Sequence, residues 1–241
     1  MTCKDLLLSC EHGGNRVPAA YRALFPGPRA ARALESHRGW DPGALDVARA
    51  FARRVGAPLF EGRVTRLLVE LNRSPHHPRL FSEFSARLPP AERAMLLARH
   101  YYPYRDAVER AIGVRVGKGQ AVLHLSVHTF VGTWHDQARE AEIGLLYDPA
   151  RPGERHFCAE WRDSLQAMAP YLRVRRNYPY RGVSDGLVTH LRRRFSARRY
   201  VAIELEVCQT LVAAPGAARR ETIAVLVDSF LRARSQTMPP G

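Results

Sequence analysis

Lysine is almost missing from this 241-residue chain: of its 37 basic residues only Lys4 and Lys118 are lysine, and the other 35 are arginine. Acids are scarce too, 23 in all, which leaves a formal net charge of +14. Cysteine is limited to Cys3, Cys10, Cys158 and Cys208. None stands in a CxxC pair, so zinc-ribbon and dithiol redox motifs are excluded, and buried free thiols are expected at Cys10 and Cys208. No uninterrupted apolar run reaches the roughly 18 residues of a membrane span. The N-terminus has no basic stretch ahead of a long apolar segment, so no secretory signal is expected and the cytoplasm is the expected compartment. Repeats, low-complexity tracts and Ser/Gly linkers are absent, which predicts one domain over residues 1–241.

What the chain has in excess is arginine. Residues 173–199 hold nine arginines against the single acid Asp185. Such a segment attracts anions, whether a small carboxylate substrate, a phosphate or nucleic acid. No helix-turn-helix, zinc-finger or RNP-type motif accompanies it, so the nucleic-acid reading has no further support. A solvated face that steers anions is the expectation.

Aliphatic and β-branched density predicts five strands, at residues 6–10, 64–71, 121–127, 142–147 and 200–207. Helical periodicity appears between and after them, at 42–55, 90–113 (interrupted by Pro103), 154–170 and 216–234. Strands alternating with helices predict an α/β fold: one mixed, largely parallel sheet with helices on both faces. Ligands of such folds bind beyond the carboxyl ends of the strands. Each expected strand ends in, or carries near its end, a residue fit for polar chemistry: Glu11-His12, Asn72-Arg73, His128-Thr129, Asp148, and Glu204 with Glu206.

His12 is followed by Gly13 and Gly14, which leave room beside it for a ligand to approach the backbone. In "LHLSVHTF", period-two alternation puts His124, Ser126 and His128 on one strand face. His128 is the better ligand candidate, and His124 reads as a core or supporting group. Two histidines and one carboxylate with an open position make a hydrolytic zinc site. Such an ion activates water and polarises a carbonyl near neutral pH. Two carboxylates in an apolar strand, Glu204 and Glu206, are costly to bury unless paired or used, and either could serve as general base. Asp41, before Pro42, reads as an N-cap or as the third metal ligand. Asn72 and Arg73 offer an amide and a planar guanidinium, a pair suited to a substrate carboxylate. The loop "NYPYRGVSDG" presents Tyr180 and Arg181 over a substrate. His76-His77, flanked by prolines, reads as solvent-exposed.

The succession "CEHGGNRVP", "DPGAL", "VELNRS", "LSVHTF", "NYPYRG" and "IELEVCQ" resembles the N-formylglutamate amidohydrolase family, from residue 6 to about 212. That family is similar to zinc carboxypeptidases and aspartoacylase-type deacylases, which implies a zinc-carboxypeptidase, phosphorylase/hydrolase-like fold. The resemblance implies that His12 and His128 bind one Zn2+, or another divalent ion. It also implies that Asn72 and Arg73 hold the substrate and that Glu206, in its LE-x-x-Q context, is the base rather than Glu204. The carboxypeptidase-type first motif has a ligating glutamate where this chain has Asn15, a poor zinc ligand. The third ligand is then expected at Asp41, with Glu11 the second choice. The implied activity is hydrolysis of a small anionic N-acyl amino acid, N-formyl-L-glutamate first, in histidine degradation. A peptide or cell-wall amide is the competing substrate.

Overall fold

Four of the five expected strands form, because aliphatic runs bounded by turn formers can satisfy their backbone only against one another. The computed structural model describes residues 5–134 and 136–237; Cys3 lies outside them. The strands are β1 (Asp5–Cys10), β2 (Leu59–Glu61), β3 (Val122–Phe130), β4 (Thr133–Trp134), β5 (Gln137–Ala138), β6 (Ile143–Leu146), β7 (Val174–Arg176) and β8 (Tyr200–Cys208). Six of them make one sheet in the order β2-β1-β3-β8-β6-β7, and β4 and β5 make a separate antiparallel ribbon. β2, β1, β3 and β8 run parallel, whereas β6 is antiparallel to β8 and β7 is parallel to β6.

The helices are α1 (Gly27–Glu35), α2 (Ala44–Val55), α3 (Pro90–Leu96), α4 (Tyr102–Gly117), α5 (Pro152–Met168), α6 (Leu187–Arg194), α7 (Gln209–Val212) and α8 (Ala217–Thr237). A π-helical turn, Leu97–Tyr101, joins α3 to α4 in one continuous helical run, and Pro103 follows directly after that turn. On one sheet face Phe51 of α2, Trp161 of α5 and Phe230 of α8 meet edge to face, with Phe51–Phe230 centroids 5.3 Å and Trp161–Phe230 centroids 5.0 Å apart. They cover Leu8, Leu125 and Ile203. On the other face Val108 and Ile112 of α4 and Leu187 and Leu191 of α6 cover Leu7, Val122 and Ala202. The central strands β3 and β8 are buried along their whole length, as expected of strands covered on both faces. Among the described residues, no helix is long and apolar enough to cross a membrane.

Two expectations about the sheet are corrected. Residues 64–71 are not a strand: after a single bridge at Val64 the chain enters turns, and three-residue β2 takes the edge beside β1. The apolar members Leu68, Val69 and Leu71 pack instead against Leu96 and Tyr101. Arg66 and Glu70 interrupt the apolar run and pair with each other, with Arg66 lining a polar cavity. The strand expected at 142–147 is present but reversed, so Ile143 pairs with Val207 and Leu146 with Glu204. Asp148 therefore leaves the sheet at the edge opposite to His12, and its N–H donates to Glu154 at 2.9 Å. The residue pattern of a strand carries no direction.

Among the described residues, four of the nine arginines of segment 173–199 stand in ion pairs, Arg175 with Glu140 being one. Arg173 meets Glu142, Arg194 meets Glu109, and buried Arg192 meets buried Glu154.

Candidate metal and substrate site

Past Cys10 the chain turns, carrying Glu11 and His12 off the end of β1. Gly14 lies so close to the neighbouring segment that a Cβ there would stand 2.9 Å from the carbonyl oxygen of Arg63. This close approach brings the chain of residues 62–70 alongside His12.

Nδ1 of His12 lies 3.2 Å from Oδ2 of Asp41, and Nδ1 of His128 lies 3.1 Å from the same oxygen. The far nitrogen of each ring faces a second carboxylate. His12 Nε2 is hydrogen-bonded to Glu70 Oε1, and His128 Nε2 lies 3.1 Å from Glu11 Oε2. Arg66 binds Glu70 through Nε at 2.7 Å and Asp41 Oδ1 through Nη1 at 3.3 Å. Ser126 donates to Glu11 Oε2 at 2.7 Å. Three buried donors, from His12, Asp41 and His128, thus lie within 4.8 Å of one another.

Asp41 does not cap α2: the N-cap is Gly43, without a side-chain cap bond. Glu11 stands behind His128 rather than inside the cluster. Asn15 donates to the Leu34 carbonyl and to Glu35, outside the site. His124, bonded to Ser9 Oγ at 2.8 Å and to the Tyr200 hydroxyl at 2.7 Å, is a core group, and burial pushes its pKa down to about 4. His76 and His77 stay outside the cavity, with His77 Nδ1 accepting the Arg79 N–H at 3.0 Å.

The electrostatics follow from these contacts. Burial and Arg66 push His12 down, yet Glu70 and Asp41 outweigh them and hold its pKa above the ordinary imidazole value. Burial likewise opposes protonation of His128, but Asp41 and Glu11 raise it far above that value. Asp41, Glu11 and Glu70 all lie well below the usual carboxylate range, because the imidazoles and Arg66 more than offset their burial. Glu206 is the exception. Burial pushes it up to about 8, and its Oε2 is buried without a hydrogen-bond partner among the described residues. Glu204 is also raised by burial but is opposed by Arg192 and by a hydrogen bond from Asn72.

This donor set fits a divalent ion of the zinc type. Two imidazole nitrogens and a carboxylate oxygen converge, each ring is backed by a carboxylate on its other nitrogen, and an orphaned carboxylate stands in the same cavity.

The cavity measures about 710 Å3 and lies beyond the carboxyl ends of the parallel strands. It brings together His12, Asp41, Asn72, Arg73, His128, Tyr180, Arg181, Glu204 and Glu206, all singled out from the sequence. Asn72 Oδ1 accepts the Leu187 N–H at 2.7 Å, and Arg73 Nη1 donates to the Asp185 carbonyl at 2.8 Å, which fixes both beside the 177–186 loop. Arg66, Arg139 and Trp134 also line the cavity and were not anticipated; nor was Glu70 behind His12. The four-residue spacing of Arg66 and Glu70 was the available signal, hidden inside a segment read as extended.

Sheet and cavity together define an α/β protein with a buried histidine–carboxylate centre beyond its parallel strand ends, an architecture suited to hydrolytic chemistry. The chain belongs to the N-formylglutamate amidohydrolase family, whose model matches residues 4–213. That membership makes it a hydrolase of the amidohydrolase kind. Among solved structures, the gene product Atu2144 from Agrobacterium tumefaciens is 30% identical, with a TM-score of 0.79 over 96% of this chain and 91% of that one. The N-formylglutamate amidohydrolase from Ralstonia eutropha JMP134 has a TM-score of 0.75 over 98% of this chain and 95% of that one. At 17% identity it shows the fold alone. No curated protein matches the chain.

Proposed function

We propose that the protein is a metal-dependent amidohydrolase, with zinc as the ion, that cleaves the amide of a small anionic N-acyl amino acid. N-formyl-L-glutamate is the first substrate, giving formate and glutamate. The observation that carries this reading is the convergence of His12 and His128 Nδ1 on Asp41, with each Nε2 held by a carboxylate, beside the unpartnered Glu206. Family membership supports the amide, and the arginines lining the cavity support an acidic substrate.

When bound, the ion supplies Lewis acidity toward water and an acyl carbonyl near neutral pH. Glu206 takes the proton of the attacking water and delivers it to the leaving nitrogen. Burial raises its pKa in the metal-free site and so strengthens it as a base, and a cation beside it would draw the value back toward neutral pH. Arg73 and Arg181 bind the substrate carboxylates, Asn72 holds Glu204 and the backbone at Leu187 in register, and Tyr180 covers the open side. The buried free thiols Cys10, Cys158 and Cys208 accord with work in the cytoplasm.

Elemental analysis of the purified protein, alongside His12→Ala and His128→Ala, tests the proposal. About one zinc per chain, lost in both variants, together with formate release from N-formyl-glutamate by the wild type, is the expected result. A wild type that takes up no metal when zinc is supplied overturns it.

A further inference from the structure

The cavity is larger and more basic than one N-formyl amino acid needs. At about 710 Å3 it falls among sites of roughly 300–1,000 Å3 that bury drug-sized ligands, whereas N-formylglutamate has only about a dozen non-hydrogen atoms. Of the arginines on its walls, Arg66 is taken by Glu70 and Asp41, and Arg38 by Glu83. Among the described residues, Arg73, Arg79, Arg139 and Arg181 stand on the cavity without a carboxylate at ion-pair distance. The cavity's own acids do not answer them: Asp41 serves the histidines and Arg66, Asp185 Oδ2 accepts the Ser74 N–H at 2.9 Å, Glu204 is engaged by Asn72, and Glu206 makes no ion pair with an arginine among the described residues. A carboxylate is matched by one bidentate guanidinium. N-formylglutamate, with two carboxylates, leaves two of the four arginines unanswered.

Of the four, Arg139 stands among aromatic rings. Its guanidinium lies 5.3 Å from the Phe130 ring centroid, 5.5 Å from that of Trp134 and 5.2 Å from that of Tyr180. Both terminal nitrogens point at the Tyr180 hydroxyl, at 3.4 and 3.3 Å. Three rings around one cation fix its orientation before any ligand arrives, and a preset guanidinium loses little freedom on binding an anion. It follows β5 directly, on the rim of the cavity rather than on the sheet that carries the histidines.

We propose that the site, beyond accepting N-formyl-glutamate, prefers a tricarboxylate N-acyl amino acid, with Arg139 and its ring of Phe130, Trp134 and Tyr180 binding the third carboxylate. This rests on the amidohydrolase reading and names a larger substrate for the same site. The third carboxylate has two chemical sources: an acidic residue joined to the amino-acid side, as in N-formyl-Glu-Glu, or an acidic acyl group, as in N-succinyl-Glu.

Calorimetric binding to the zinc-supplied Glu206→Gln protein separates these cases without requiring turnover. At least one of the two tricarboxylates is expected to bind about tenfold tighter than N-formyl-Glu, the worth of one charge-assisted contact. Which one it is assigns the side of the extension. Introducing Arg139→Ala brings the ratio of the two affinities to within about twofold of one, and Arg139→Lys, which keeps the charge but not the stacked plane, recovers part of it. Equal affinities for all three ligands, or an Arg139→Ala loss shared equally by all of them, overturns the proposal. Formate or succinate release by the wild type is scored separately: a protein that binds tricarboxylates preferentially but cleaves none keeps the third-carboxylate site at Arg139 and loses both the hydrolase reading and the tricarboxylate as substrate.

Discussion

Glu11 precedes His12 in the chain, yet it serves the other histidine: its Oε2 lies 3.1 Å from Nε2 of His128, on the neighbouring strand β3. His12 receives the equivalent support from Glu70, on a turn that enters from the far side. Each imidazole is therefore aimed by a carboxylate that lies outside its own strand.

Replacing Glu11 or Glu70 by glutamine keeps the shape but removes the charge that orients the ring. Each variant is expected to lower zinc affinity by about 10–100-fold. Competition with a chromophoric chelator reads this directly, and unchanged affinity in both variants would remove their assigned part.

The Glu206→Gln variant is expected to retain zinc while its kcat falls by about 10²–10⁴-fold. Glu204→Gln, whose parent carboxylate is engaged by Asn72, is expected to do less. Steady-state formate release with both variants ranks the two carboxylates, and wild-type turnover in Glu206→Gln would exclude it as the base.

Stability of the metal-free protein is expected to fall as pH rises. The folded pKa of Glu206 is raised to about 8 from an ordinary 4.5, so between these values the folded chain holds a proton that the unfolded chain has shed. Its contribution is intact below 4.5 and is lost as pH climbs through the window. Raised His12 and His128 bend the curve in the same direction. Thermal melts in chelator between about pH 5 and pH 8 should show a flatter profile for Glu206→Gln than for the wild type. The same protons must leave before a cation binds, so zinc affinity is expected to rise over this range.

How much of this was legible beforehand depended on the element. His12 and His128 could be read because each sits where an apolar run stops, and β-period alternation places His128 with Ser126 on one face; Asp41 stood out only by its place before Pro42 at a helix start. Arg66 and Glu70 could not, because Leu67, Leu68, Val69 and Leu71 look like a strand, while their burial is supplied by Leu96 and Tyr101 from α3 and the π-helical turn. β2 and β7, three residues each, are too short for a periodic signal. The reversal of β6 left no trace in its four residues, since alternation reads the same in both directions.

Away from the cavity, buried Arg192 bonds Glu154, which also caps the backbone at Asp148 and Ala202. Arg192→Leu leaves that carboxylate buried with Arg151 as its remaining ion-pair partner. It is expected to destabilise the fold by about 3–5 kcal/mol, measured by urea unfolding. A loss under about 1 kcal/mol would mean that Arg151 alone suffices.

The reversed β6 has one further consequence. β3 brings the chain to the mouth of the cavity at Phe130, and β6 takes it back into the sheet at the same edge, at Ile143. Residues 131–142, with Trp134 and Arg139, thus form an excursion whose two roots stand on either side of β8. Insertions or deletions there leave every pairing of the six-stranded sheet in register while redrawing the rim that meets the substrate. The sheet and the turns beside it hold the inner wall of the cavity, and its rim is left to a hem that evolution can let out or take in.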